Sequence, residues 1–361
     1  MKQIAIIIDR QYIDAHFCFR ELIASLANSG FHVTLFYIPT ERSPKFDSND
    51  RIKLKVFSKS KLGTLKLFFQ LLAGNFNYHT VIVTPQWPLF WASFAKIKFK
   101  LVCLSDEVNT TDPNDYSSAQ TNQGFSAKKW KNREIIAHQK CDATIALDQT
   151  RYDLVKQINN LSYNHSYFII PNAPSAKLAS KPQVDFYRTS FNVKQNETVV
   201  LHSGGLQWNL LKDLTTIKLD PNIKLILQAR TRGKEQFPSS VLISDKYIDY
   251  EELIPYAKGA DIGLLLYDEF NPEEKRNGNT AGKLGLYLGA GLPIIGCNLK
   301  IFEWLEKEQC GIRIDNLNQL NDAIKKINAN YSSYSNNSKR IFEKKYEYTE
   351  HFKPFEKWLK S

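Results

Sequence analysis

Short, continuous apolar runs alternate with segments of helical periodicity along most of the chain. Ile4 to Ile8 is an unbroken apolar run of the kind buried on both faces of a parallel sheet. Phe17 to Ala27 has apolar residues at helical spacing, and Asn28-Ser29-Gly30 supplies a stop. His32 to Ile38, closed by Pro39, predicts the next strand, so the chain opens with a strand–helix–strand unit. Val81 to Val83, Lys100 to Leu104 and Cys141 to Leu147 predict further strands, and the run Tyr167 to Ile170 ends in a rigid Pro171-Asn172-Ala173-Pro174 turn. The polar stretch 107–126 is long enough to suggest a functional loop.

Residues 175–196 are polar and weakly patterned, which predicts a linker. A second series follows it. Strands are expected at Thr198 to His202, Ile223 to Gln228, Asp261 to Tyr267 and Leu292 to Gly296. Helices are expected at Tyr250 to Gly259, Lys283 to Gly289 and Ile301 to Lys307. The pattern therefore predicts an α/β protein of two consecutive Rossmann-like halves, with ligands beyond the carboxyl ends of the strands in a cleft between them.

Composition narrows the class. The chain has 361 residues, 43% hydrophobic and 24% charged, which excludes disordered, collagen-like and coiled-coil proteins. Its formal charge of +11 is concentrated. Between Arg51 and Ser105 no Asp or Glu occurs, while Arg51, Lys53, Lys55, Lys59, Lys61, Lys66, Lys96, Lys98 and Lys100 all do. The start of the chain has too short an apolar run for a signal peptide, and the most apolar window, Val81 to Ala95, is interrupted by prolines and polar residues. The five cysteines are scattered without a CxxC pair, so neither a disulfide framework nor a zinc site is expected. A cytoplasmic chain is the expectation.

Candidate chemistry is sparse. The seven histidines show no HxH or HExxH spacing and no D-x-D occurs, so metal-free chemistry is expected. Gly278-Asn279-Thr280-Ala281-Gly282-Lys283-Leu284 is spaced somewhat like a P-loop. It has one residue too few between its glycines, and Leu284 stands where a magnesium-binding hydroxyl would be needed. What remains is small residues, a lysine and a helix start, a combination that attracts phosphate through free N–H groups and the helix dipole. A plain helix start with a solvated lysine would use the same residues. Ser203-Gly204-Gly205 after a strand lets a backbone approach a ligand closely, or makes a tight turn. No GxGxxG follows any strand.

Several stretches, in order, carry a family resemblance: Tyr167 to Ala173 (YFIIPNA), Val200 to Leu206 (VLHSGGL), Tyr247 to Asp261 (YIDYEELIPYAKGAD) and Lys283 to Ile295 (KLGLYLGAGLPII). Together they resemble the group 1 (family 4-like) GT-B glycosyltransferases of bacterial polysaccharide biosynthesis. The tail, Phe342 to Leu359, is similar to the terminal helix that returns to the N-terminal domain in that family. The resemblance implies a GT-B fold of two Rossmann-like domains facing each other across a cleft. It implies an acceptor-binding domain over 1–175, joined by helix 341–361, and a nucleotide-sugar-binding domain over 185–340. Two departures stand out: Leu286 occupies the position of a ribose-binding glutamate, and Asp9-Arg10-Gln11-Tyr12 replaces an N-terminal Gly-Gly loop.

The implied activity is metal-independent hexosyl transfer from a nucleotide diphosphate-sugar, used as donor substrate without further cofactor, to a glycan or lipid-linked hydroxyl. Donor contacts are expected from His202, Gly204, Gly205, Arg230, Ile248, Asn279, Thr280, Gly282 and Lys283. The positive groups among them would stabilise the leaving diphosphate. A base for the acceptor hydroxyl is expected among Asp14, His16, Asp106 and Glu107 at strand ends of the first half. An N-cap role for Asp14, a helix-start role for His16 and a solvated loop at Asp106-Glu107 use the same residues structurally. A nucleotide-sugar epimerase of the same fold is a rival, as is a basic nucleic-acid-binding protein. No nucleic-acid motif supports the latter, and the basic residues alternate with large apolar ones. Lys53 to Leu72 and Trp87 to Phe99 mix lysines with leucines and aromatics, as anionic membrane surfaces favour, although a core-packed helix with solvated lysines would read alike.

Overall fold

The computed structural model describes residues 2–9, 13, 16–38, 46, 50–58, 60–75, 77–108, 124–204, 213–229, 237–267 and 278–361. They form two compact units, residues 1–172 with 348–361, and residues 173–347.

Unit 1 contains β1 (Gln3–Ile8), α1 (Phe17–Asn28), β2 (His32–Tyr37), β3 (Ile52–Val56), α2 (Lys61–Gly74), β4 (Tyr78–Val83), α3 (Trp87–Ala95), β5 (Lys100–Ser105), α4 (Gly124–His138), β6 (Ala143–Ala146), α5 (Gln149–Ile158) and β7 (Ser166–Ile169). The strands form one parallel sheet in the order β3-β2-β1-β4-β5-β6-β7. Alternation in β1 feeds two cores. Ile4, Ile6 and Ile8 pack with Phe19, Leu22 and Leu26 of α1, whereas Ala5 and Ile7 join Leu67, Leu71, Leu89 and Ala92 beneath α2 and α3. Full burial of such aliphatic side chains contributes about 1.5–3 kcal/mol each before chain entropy is subtracted.

Unit 2 contains α6 (Ala176–Ala179), α7 (Phe186–Phe191), β8 (Thr198–Ser203), β9 (Ile223–Gln228), β10 (Val241–Ser244), α8 (Leu253–Ala257), β11 (Ile262–Leu265), α9 (Gly282–Ala290), β12 (Ile294–Cys297), α10 (Glu303–Lys307), β13 (Gly311–Ile314), α11 (Leu320–Ala329) and α12 (Tyr331–Ile341). Its parallel sheet runs β10-β9-β8-β11-β12-β13. The last helix, α13 (Tyr348–Lys360), returns to unit 1, where Tyr348, Phe352, Phe355 and Leu359 are buried. Lys2 Nζ donates to the carbonyls of Leu359 and Lys360 at 2.9 and 2.8 Å.

The expected linker at 175–196 is built into unit 2 instead. Tyr187 of α7 is 1% exposed, Val184 N–H donates to Pro255 O, and Arg188 pairs with Asp261 at 2.6 Å. A polar surface masked Tyr187, the buried anchor there. In both units the strand order reverses beside the first strand, between β1 and β4 and between β8 and β11. Such a reversal leaves a crevice at the carboxyl ends of the strands, where ligands bind in open α/β sheets.

Candidate functional site

In unit 2, β8 reaches its carboxyl end at Ser203 and turns through Gly204, whose φ of +139° is a region L side chains rarely adopt. Gly204 N–H donates to Gln228 O at 3.0 Å, so the ends of β8 and β9 are tied together. The open side of Gly204 faces Lys283: a Cβ there would lie 3.6 Å from Nζ. Lys283 Nζ is buried and sits 4.7 Å from the centre of the Tyr267 ring, a cation–π distance. Lys283 is the second residue of α9, whose N-cap residue Ala281 provides no side-chain cap. The helix's first-turn dipole and the ammonium therefore add at one point beside the strand reversal.

Tyr287, one turn further, holds this geometry. Its hydroxyl accepts from Ser203 N–H at 2.8 Å and donates to Leu264 O at 3.2 Å, bridging α9 to β8 and β11. The ring lies against Gly263, where a Cβ would meet Tyr287 Cγ at 2.4 Å. Burial pushes the phenol pKa well above its ordinary value, so the group stays a neutral donor.

The other candidates of this half divide. His202 is fully buried, and its Nδ1 lies 3.2 Å from Leu264 O, the carbonyl that Tyr287 also uses. It belongs to the packing between β8 and β11. Asn279 Oδ1 accepts from Trp304 Nε1 at 3.0 Å, which fixes the loop before α9, and Thr280 beside it is buried. Gly282 is the first residue of α9, and Ile248 is half-buried after β10. Gly205 and Arg230 lie outside the described residues. Leu286, at the position of the family's glutamate, is 5% exposed in the core. Gln228 escaped the sequence reading. Its Nε2 donates to Lys246 O at 2.8 Å, and its Oε1 is buried without a hydrogen-bond partner among the described residues. Its place as the polar end of an expected strand was the available signal.

In unit 1 the strand reversal carries an Asp9–Thr84 pair. Thr84 Oγ1 donates to Asp9 Oδ1 at 3.1 Å and lies 3.4 Å from Asp9 N–H. His16 is the half-buried N-cap residue of α1, extended in backbone, with its ring 5.4 Å from Phe19 edge-on and no side-chain cap bond. Asp14 lies outside the described residues, as does most of the polar loop. Asp106 and Glu107 follow β5, and Glu107 is exposed. The buried Arg151 Nη1 donates to the Asp106 carbonyl, and Arg151 N–H donates to Asp148 Oδ1 at 2.6 Å. Burial lowers the Arg151 pKa, and the charges of Asp106, Asp148 and Glu107 oppose that shift. Asp106 is therefore a counter-charge to Arg151. Sequence reading missed Arg151 because only the tertiary fold brings it under the β5 end. Among the described residues no group of three His, Cys, Asp or Glu side chains could hold a metal ion, and no helix is long and apolar enough to cross a membrane.

Two parallel sheets of this order, one per unit, with the last helix returning to the first unit, make the GT-B fold of glycosyltransferases. Residues 200–347, which hold the whole Gly204–Lys283–Tyr287 arrangement, match the family described as glucosyltransferase 3-like, C-terminal domain. Among solved structures the chain is similar to sucrose-phosphate synthase from Thermosynechococcus elongatus (TM-score 0.74, 14% identity, 100% of this chain and 98% of that one). It is also similar to HepE of Anabaena in complex with UDP-glucose (0.71, 15%, 100% of both chains). A third likeness is to WaaG, a glycosyltransferase involved in lipopolysaccharide biosynthesis (0.66, 15%, 97% and 98%). At these identities the likeness is one of fold. No curated protein matches the sequence.

Proposed function

We propose that this protein is a cytoplasmic glycosyltransferase that moves a hexose from a UDP-sugar to a hydroxyl of a surface glycan or its lipid-linked precursor. The observation that carries the reading is Lys283 at the start of α9, a half-buried residue whose Nζ is buried beside Gly204 where the unit 2 sheet reverses order. A donor diphosphate at that edge meets an ammonium, the positive end of a helix and a strand end without a side chain. The match of residues 200–347 to a glucosyltransferase domain and the UDP-glucose complex of HepE favour a UDP-sugar, and the role of WaaG favours a surface glycan.

In this mechanism the bond between the anomeric carbon and the diphosphate oxygen breaks as the acceptor oxygen bonds to that carbon. Lys283 and the first amides of α9 take up the charge that grows on the leaving diphosphate, a role that needs no metal ion. Gly204 lets the donor approach the strand end, and Tyr287 holds α9 against β8 and β11. On the acceptor side His16 is the favoured base. It stands half-buried at the start of α1, whereas Asp106 is the counter-charge to Arg151.

Melting curves with UDP, GDP, CMP and ADP test the proposal. UDP should raise the melting temperature of the native protein and leave that of Lys283→Met unchanged. No stabilisation by any of the four, or an unaltered shift in Lys283→Met, would remove it.

A further inference from the structure

The outward face of a surface helix ordinarily carries charged and polar residues. In α2 it does not. Ser60 caps the helix through Gly63 N–H at 3.1 Å, and Leu67 and Leu71 face the core. The opposite stripe, at helical spacing, is Leu62, Leu65, Lys66, Phe69 and Ala73, all exposed. Leu62 is 81% exposed and Phe69 57%.

Phe94 and Ile97 extend this surface, at 52% and 70% exposure. Asn75, which follows α2, accepts from Ile97 and Lys98 N–H at 2.8 Å each and donates to Ala95 O at 2.7 Å. The end of α2 and the turn after α3 are thereby one continuous surface. Beneath it lies an aromatic layer in which Phe68 meets Trp91 at 5.7 Å and Phe90 meets Phe94 at 4.9 Å. The protruding side chains thus stand on a packed floor.

The charge around this surface is mostly positive, and Asp142 beside it pairs with Lys96 at 2.7 Å. Lys66 and Lys98 are exposed beside it, and Lys140 Nζ lies 4.6 Å from the Phe94 ring. No acidic residue occurs between Arg51 and Ser105. We infer that the exposed face of α2 and α3 docks on an anionic lipid surface, its leucines and phenylalanines entering the headgroup boundary and its lysines meeting lipid phosphates. Exposed apolar side chains edged by lysines suit an anionic bilayer. A second copy of this chain would bring two lysine-edged surfaces together, a like-charge contact. The inference extends the proposed function to the place where a lipid-linked acceptor would be met, but the docking itself needs no nucleotide.

Sedimentation with vesicles of phosphatidylcholine, alone or mixed with phosphatidylglycerol, tests it. The full chain should bind only the mixed vesicles, less so as salt rises, with a blue shift of tryptophan emission. Leu65→Ser with Phe69→Ser should weaken partitioning by about tenfold through lost apolar burial. Lys66→Gln with Lys98→Gln should weaken it by about tenfold or more. Both pairs lie at exposed positions, so melting temperature and UDP response should stay native. Absent binding, equal binding to neutral vesicles, or serine variants that bind as the native protein does would overturn the inference. A dimer seen by light scattering and abolished by the serine pair, without vesicle binding, would reassign the surface to self-association. Vesicle binding in a protein that no nucleoside diphosphate stabilises would instead count against the transferase reading alone.

Discussion

The two sheets begin with the same strand order and place different chemistry at the same topological point. Where unit 1 reverses order, Asp9 and Thr84 satisfy each other. Where unit 2 reverses, a positive-φ glycine and a lysine whose Nζ is buried stand together at the strand end. The helical layers differ as well. Unit 1 exposes an apolar, lysine-edged helix face, whereas the surface helices of unit 2 are largely polar outside, α11 showing Asn321, Lys325 and Lys326. The fold supplies the crevice; a handful of side chains decide what each crevice can hold.

The sharpest way to break this contrast is to remove the unit 2 charge. Lys283→Met should lower kcat/KM for a UDP-sugar by about 100- to 1,000-fold, as loss of one strong transition-state donor does, with the urea midpoint little changed. Steady-state kinetics beside urea denaturation reads both. Gly263→Ala should follow, because its Cβ would press on the Tyr287 ring backed by β8 and β11. Overpacking of this kind costs about 3 kcal/mol, and it should appear in the unit 2 transition alone. Tyr287→Phe should cost about 2 kcal/mol in the same transition by stranding the Ser203 N–H, with an accompanying loss of UDP affinity as α9 loosens.

A smaller and opposite test concerns unit 1. His138 is fully buried, and its Nδ1 accepts from Asn159 Nδ2 at 2.7 Å. Its Nε2 then carries the proton and donates to Thr144 Oγ1 at 2.7 Å, and Thr144 in turn lies 2.8 Å from His165 Nε2. Asn159 Nδ2 also reaches Glu134, which pairs with the buried Lys131 at 2.8 Å. Burial, then the charges of His165 and Lys131, lower the His138 pKa to about 3. The folded state thus holds this histidine neutral while the unfolded chain takes up a proton below about pH 6.5. Stability from this site is complete above that pH and falls as pH drops toward 3, by at most about 1.4 kcal/mol per pH unit. His138→Gln should flatten the acid limb of unit 1 melting and leave unit 2 unchanged.

Fold class was legible because strand segments such as Ile4 to Ile8 and Val199 to Leu201 are continuous apolar runs, as a parallel strand covered on both faces needs. β3 was not. As an edge strand, Ile-Lys-Leu-Lys-Val alternates, leaves most of its side chains in water, and reads as part of the basic stretch. Short strands such as β10 and β13 gave too few apolar positions to stand out. Lys283 could be singled out because small residues, a lysine and a helix are adjacent in sequence. The Tyr287 bridge and the Arg151 counter-charge could not, since each joins residues far apart in sequence. His202 shows the reverse limit: a histidine at a strand end looks the same in sequence whether it faces a ligand or, as here, the next strand.

The return of α13 to unit 1 has a consequence for how the molecule is made. Tyr348, Phe352, Phe355 and Leu359 lie in the same core as Ile4, Ile6 and Ile8, yet the ribosome delivers them after all of unit 2. During synthesis unit 2 can close as an uninterrupted piece, while unit 1 waits with part of one core uncovered. Lys2, holding the last carbonyls of α13, is the clasp on that late step. A circular permutant that places residues 348–361 ahead of residue 2 would make unit 1 contiguous and let it mature first.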